Sequence, residues 1–283
     1  MPTATIDDIQ LHYDVAGAGT PVLLIMGLSV PGSAWRFQHR AIAERHRVAW
    51  FDNRGAGRTD APPPPYTMAR LAQDALGLMD HLGWADAHVV GISMGGMVAQ
   101  HVALDHRDRV RSLSLIATSA GGTMARLPTA AGTWHFMKAL LGPKQGRIDA
   151  TARLLFPPSY RTTADMAKIC EILREDFGKP PKKDGRRGQL RAVFGHDTRR
   201  RLGELVGLPT LVIKPGRDIL VRPVQAERLH AAIPGSTILR LPEAGHGLLR
   251  QEPDAINAAL LSHFATTDAA RADARPVAAT ADT

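Results

Sequence analysis

Gly91-Ile92-Ser93-Met94-Gly95 is the stretch on which the reading of this chain turns. An apolar, strand-like run, Ala87-His88-Val89-Val90, enters it, and a run with helical spacing and small residues, Met94 to Leu104, leaves it. A serine on a sharp strand-to-helix turn has its hydroxyl pushed into the open. Glycines on either side fit because a larger side chain would collide with the neighbouring strand or helix. The bare pattern arises by composition on the order of a tenth of a time in a chain this long, so its flanks and downstream partners carry the weight. Ser93 is the candidate nucleophile.

A serine hydroxyl needs a positioned base, and the base needs a carboxylate to orient it. Both follow in order. Asp218 lies in Pro215-Gly216-Arg217-Asp218, just after the strand-like run Pro209 to Lys214. His246 lies in Ala244-Gly245-His246-Gly247, beyond the run Ser236 to Leu241. A strand-end position puts each on the carboxyl edge of a parallel sheet, where Ser93 should also lie. An acyl-transfer site also needs oxyanion donors, typically two backbone N–H groups. The expected donors are Met94, after the nucleophile, and Leu28, in the loop that follows Leu23-Leu24-Ile25.

Nine of the 12 histidines (His12, His39, His46, His81, His88, His101, His106, His230 and His263) fall in or beside ordinary strands and helices and read as structural. His196-Asp197 reads as ordering the return from the middle segment. No histidine spacing supports a metal site, and Gly17-Ala18-Gly19 and Gly55-Ala56-Gly57 are turns, not dinucleotide fingerprints. No metal and no cofactor is expected. The single cysteine, Cys170, excludes an internal disulfide and shares a helical face with Met166, Ile169, Leu173 and Phe177, as a packed thiol would.

With 283 residues, 44% of them apolar, the chain can bury a large core. Short β-rich runs alternate with helical ones up to Ser119 and again from Pro209, which predicts a mostly parallel sheet covered by helices. Strands are expected at 9–15, 21–26, 47–51 and 110–116, and a helix is expected after the cap Thr67, ending at Gly83. Residues 120–206 read as an inserted helical cap, with helices at 134–141, 148–156 and 163–177. The core is then 1–119 and 207–265. Residues 266–283 hold little that can be buried and are expected to be disordered. The start lacks a basic-then-apolar leader and no run approaches a spanning helix, so a cytoplasmic location without stable membrane insertion is expected.

The net charge of +8 is concentrated in the middle segment: residues 119–206 hold 17 Lys or Arg against 8 Asp or Glu. Lys179 to Arg187 and Arg199-Arg200-Arg201 lack the interleaved aromatics of a nucleic-acid surface, so no nucleic-acid partner is expected. A run such as Lys182, Lys183, Arg186 and Arg187 is ordinarily a solvated outer loop. If it faced the site instead, it would favour acidic substrates. Trp134, Met137 and Phe156 are candidate substrate contacts, with Phe136, Leu140, Leu154, Leu155 and Phe177 as further apolar residues of the segment.

Taken together, the Met26-Gly27 loop with Trp35 downstream, Asp52 to Arg58, the turn at Ser93, Pro209-Thr210-Leu211-Val212 leading to Asp218, and Gly245-His246 resemble the α/β-hydrolase superfamily over residues 7–265. Met26-Gly27 where the family most often has His-Gly, with Asp105-His106-Arg107-Asp108-Arg109, resembles its aclacinomycin methylesterase-type carboxylesterases. The resemblance implies an α/β-hydrolase fold and a cofactor-independent serine hydrolase acting on a small-molecule carboxylic ester. Enol-lactonase, carbon–carbon bond hydrolase and cofactor-free perhydrolase chemistry stand as alternatives on the same residues. A non-catalytic ligand-binding homologue is a further alternative from a different class. Oligomeric state, a homo-oligomer included, stays open.

Overall fold

The β-rich runs assemble into one eight-stranded sheet. The computed structural model describes residues 2–122, 128–177 and 182–273. Its strands are β1 (Thr3–Ile6), β2 (Ile9–Ala16), β3 (Pro21–Ile25), β4 (Arg47–Phe51), β5 (Ala87–Ile92), β6 (Val110–Ile116), β7 (Thr210–Pro215) and β8 (Thr237–Leu241), in the order β1-β2-β4-β3-β5-β6-β7-β8. Strands β1 and β2 run antiparallel to their neighbours, and β4-β3-β5-β6-β7-β8 are parallel.

Successive strand residues feed opposite faces. Leu23 and Ile25, Ala49 and Phe51, and Val89 pack on one side with α2 (Met68–His81) and α3 (Met94–Asp105). Val22 and Leu24, Val48 and Trp50, and Val90 pack on the other with α1 (Arg36–Ala43) and, from the C-terminal end, α11 (Pro253–Asp273). Both faces are covered, which is why these strands read as continuous apolar runs instead of alternating ones. Helix α2 begins where expected, with Thr67 Oγ1 accepting the Arg70 N–H. Helix α3 is buried almost all round, as the helix that follows a central strand must be.

Between β6 and β7 lie α4 (Ala130–Leu141), α5 (Lys144–Leu155), α6 (Pro158–Thr163), α7 (Met166–Phe177) and α8 (Lys183–Gly195). The expected helix over 163–177 is thus shorter, beginning at Met166 after the separate turn of α6. Ala152, Phe156, Ile169 and Leu173 form a small core of this segment. Cys170 sits half-buried on the α7 face that carries Ile169 and Leu173. Asp197 forms an isolated β-bridge with Gly121, and His196 Nε2 lies 3.2 Å from the Ser119 carbonyl, joining the two ends of the segment. After β7 come α9 (Val224–Ala232) and α10 (Leu248–Gln251).

Two expectations are corrected. The basic run is not an outer loop from Lys183 onward: it opens α8, whose Gly185, Gly188, Gln189 and Ala192 are buried. Lys182 Nζ donates to the Thr59 carbonyl at 2.7 Å, while Lys179 lies outside the described residues. Glycines at 185 and 188 hid the helix, because they lower helix propensity while allowing close packing. The C-terminal helix also continues past residue 265 to Asp273, with Thr267 buried. Asp268 holds it down by pairing with Arg111 at 2.9 Å and lying 3.2 Å from His88 Nε2. Composition undercounted this stretch because polar partners, not apolar area, secure it; residues 274–283 lie outside the described residues. Among the described residues no helix is long and apolar enough to cross a membrane.

Candidate active site

Strand register decides which loops meet. Ile25 pairs with Gly91, Ile92 with Ile116, Ile116 with Ile213, and Pro215 with Leu241, so the carboxyl ends of β3, β5, β7 and β8 are level. The loops that follow carry Leu28, Ser93, Asp218 and His246. Four residues separated by up to 218 positions therefore share one edge of the sheet.

Every residue from Ala87 to Gln100 is buried except Ser93. Its backbone is at φ 54° and ψ −120°, a conformation that non-glycine residues rarely hold. The surroundings enforce it. A Cβ on Gly91 would strike the Gly95 carbonyl, and one on Gly95 would strike the Ile25 carbonyl, so strand and helix approach as closely as glycine permits. Ser93 N–H donates to the Ile116 carbonyl at 2.9 Å, and Thr118 Oγ1 donates to the Ser93 carbonyl at 2.7 Å.

Asp218 is 2% exposed, and its three acceptor contacts fix its carboxylate. Oδ1 accepts the N–H groups of Leu220 and Val221 at 2.8 and 2.9 Å, and Oδ2 lies 2.6 Å from His246 Nδ1. That carboxylate partner places the ring proton on Nδ1 and leaves Nε2 with its lone pair. The two loops are laced together by Gly216 N–H to the Leu241 carbonyl and Arg217 N–H to the Ala244 carbonyl, both 2.8 Å. Gly247 N–H donates to the Leu155 carbonyl at 2.8 Å, which seats the end of α5 on the histidine loop.

Ser93 and His246 open into the same cavity of about 500 Å³. Its floor is the sheet edge, with Leu28 and Met94 beside the serine, and its walls come from α4, α5, α7 and α8. Met94 is the first residue of α3, where no intrahelical carbonyl can reach the N–H. The Leu28 loop is held from three directions. Asn53 Nδ2 donates to the Met26 carbonyl at 2.8 Å and Gly32 N–H donates to Asp52 Oδ1 at 2.7 Å. From α8, Gln189 Oε1 accepts the Ser29 N–H at 2.7 Å while its Nε2 donates to the Arg54 carbonyl at 2.8 Å.

Met137 and Phe156 line the cavity, as do Phe136, Leu140, Leu154, Leu155 and Phe177. Trp134 does not. It is 60% exposed on another face of α4, with Lys138 Nζ 5.0 Å from its ring centroid, so the expectation of a substrate contact there is corrected. Helical spacing grouped Trp134 with Phe136 and Met137 but could not say which face meets the cavity. The sequence reading also missed Asn53 and Gln189; amide side chains that bond backbone leave no pattern in sequence.

Lower in the sheet, His88 Nδ1 lies 2.8 Å from Ser112 Oγ and its Nε2 faces Asp268. Ser112 and His88 are fully buried, so this cluster is structural, as expected for His88.

Residues 20–169 match the family model described as the alpha/beta hydrolase fold. The chain belongs to the α/β-hydrolase family. The other likenesses span nearly the whole α/β-hydrolase chain. "Putative carbamate hydrolase RutD" of Azorhizobium caulinodans is 29% identical over 95% of this chain and 100% of its own. The solved enol-lactonase from Burkholderia xenovorans LB400 is 28% identical, with a TM-score of 0.82 over 93% of this chain and 100% of that one. A hydrolase from Pseudomonas aeruginosa PA01 is 31% identical, with a TM-score of 0.79 over 92% and 96%. This α/β-hydrolase is accordingly a hydrolase by family and by relatives.

Proposed function

We propose that the chain is a cofactor-independent serine hydrolase that cleaves a carboxylic ester through an acyl-enzyme. One observation carries this reading: the strained, cavity-facing Ser93 shares its cavity with a histidine whose Nδ1 is bonded to the buried Asp218. His246 Nε2 takes the proton from Ser93 Oγ as the oxygen attacks the ester carbonyl carbon. The tetrahedral oxyanion is met by the N–H groups of Leu28 and Met94. Collapse breaks the bond to the alcohol oxygen, which leaves with the proton from His246. Water, deprotonated by His246, then attacks the acyl-enzyme, and the carboxylic acid departs as Ser93 regains its proton.

In this reading helices α4 to α8 act as a cap that excludes water and selects substrate, with Met137 and Phe156 among its contacts. A lactone is an internal ester and takes the same path, and the enol-lactonase likeness favours it as a second substrate form. Specificity of the aclacinomycin methylesterase type is supported by the sequence resemblance at Met26-Gly27 and 105–109 alone. A panel of p-nitrophenyl esters graded by acyl length, beside a lactone and a peptide p-nitroanilide, tests the reading. Ester or lactone turnover together with fluorophosphonate labelling at Ser93 is expected. Turnover of the anilide alone would overturn it.

A further inference from the structure

We infer that the cavity takes an ester or lactone with a carboxylate at the end remote from the reacting carbonyl, and that Arg186 is the residue that pairs with this carboxylate. The inference rests on the proposed hydrolase reading for the reacting end only.

The position of Arg186 follows from how α8 is docked. Gly185 meets the backbone of Gly55, and Gly188 meets the Tyr66 ring, each so closely that a Cβ would collide. Gln189, fully buried, adds its bonds to Ser29 and Arg54. With that face fixed, the next face of the helix, Arg186, Leu190, Val193 and Phe194, is turned into the cavity.

Charge then separates Arg186 from the other cations around it. The cavity walls hold three arginines, Arg147, Arg186 and Arg250, against the single carboxylate Asp176. Asp176 is already engaged, 2.5 Å from Arg36 and 3.7 Å from Arg250. Arg147 Nε donates to the Gly142 carbonyl at 2.7 Å. No carboxylate among the described residues pairs with Arg186, which is half-buried beside apolar Leu190 and Val193. A guanidinium in such surroundings is complemented by an anion, and its planar fork matches a carboxylate with two parallel hydrogen bonds. The apolar walls call for a hydrocarbon or aromatic body between that carboxylate and the ester.

The test compares p-nitrophenyl hemi-esters of dicarboxylic acids with neutral esters of equal length, in wild type, Arg186→Gln and Arg186→Lys. Arg186→Gln is expected to lower kcat/KM for the anionic ester at least about tenfold, chiefly through KM, while the neutral ester changes less than about twofold; Arg186→Lys should fall between. An unchanged ratio of anionic to neutral ester in Arg186→Gln would overturn the inference. Calorimetric binding of adipate monomethyl ester, against its uncharged dimethyl ester, in Ser93→Ala with and without Arg186→Gln, reads the subsite without turnover. Preference for the anion that vanishes in Arg186→Gln supports it even if no ester is cleaved, in which case the hydrolase reading alone fails. Equal binding of the two by Ser93→Ala with Arg186 intact would also overturn it.

Discussion

Gln189 Oε1 accepts the backbone N–H of Ser29 at 2.7 Å, so a side chain from α8 holds the loop whose Leu28 lines the same cavity as Ser93. Ser29 itself is held at φ 58°, a strained value that needs outside support. The helical segment and the expected oxyanion donor are therefore mechanically joined.

Replacing Gln189 with Met keeps the volume and removes its hydrogen bonds to Ser29 and Arg54. If the loop must be held for Leu28 to meet the oxyanion, kcat should drop by about tenfold to a hundredfold with KM nearly unchanged. This is less than the roughly 3 to 4 kcal/mol lost when an oxyanion donor is deleted outright. Steady-state kinetics with one neutral ester decides it, and a rise in KM at constant kcat would place Gln189 in substrate binding instead.

Ser93→Ala should leave a folded protein whose ester hydrolysis is lower by at least about a thousandfold, since the three residues work as a unit and only binding and oxyanion contacts persist. Fluorophosphonate labelling should disappear with it. Substantial residual turnover would remove Ser93 from the mechanism.

Asp218→Asn should lower kcat by orders of magnitude, because an amide presenting its N–H to His246 favours the wrong ring tautomer. The circular dichroism spectrum should be unchanged, as the Oδ1 contacts to Leu220 and Val221 can persist through the amide oxygen. A mutant equal to wild type in kcat would point to another carboxylate.

Stability should decline in acid for a reason separate from catalysis. Burial drives His88 down to about 4 from 6.5, against the opposing pull of Asp268, and His46 and Arg111 also face it. His39, stacked on Trp50, is lowered to about 4 by burial as well. Unfolded imidazoles bind protons below about pH 6.5 while these folded ones stay neutral, so stability is full above that pH and is lost as pH falls toward 4. Thermal melts across pH 4 to 8 should show this decline, and it should be shallower in His88→Gln. Melts independent of pH in that window would discard the account.

The +9 balance of residues 119–206 should also act at a distance. Raising salt from 0.1 to 1 M shortens the screening length from about 10 to about 3 Å, so kcat/KM for an anionic ester should fall while that of a neutral analogue stays nearly level. Equal salt responses of the two esters would rule out steering.

The sequence alone was enough to place β3 to β7 and α2 within a residue or two, because apolar runs buried on both faces and a capped amphipathic helix are written in local composition. It also put Ser93, Asp218 and His246 after their strands, where parallel topology brings strand ends together. Only the tertiary structure decided what surrounds them. Whether Trp134 or Met137 faces the cavity, whether the basic run is a loop or the start of α8, and where Gln189 and Arg186 point all depend on how α4 and α8 dock. Docking is set by contacts between residues over a hundred positions apart, such as Gly185 against Gly55 and Gln189 against Ser29. Local periodicity fixes which residues share a helix face, but it carries no information about what that face will meet.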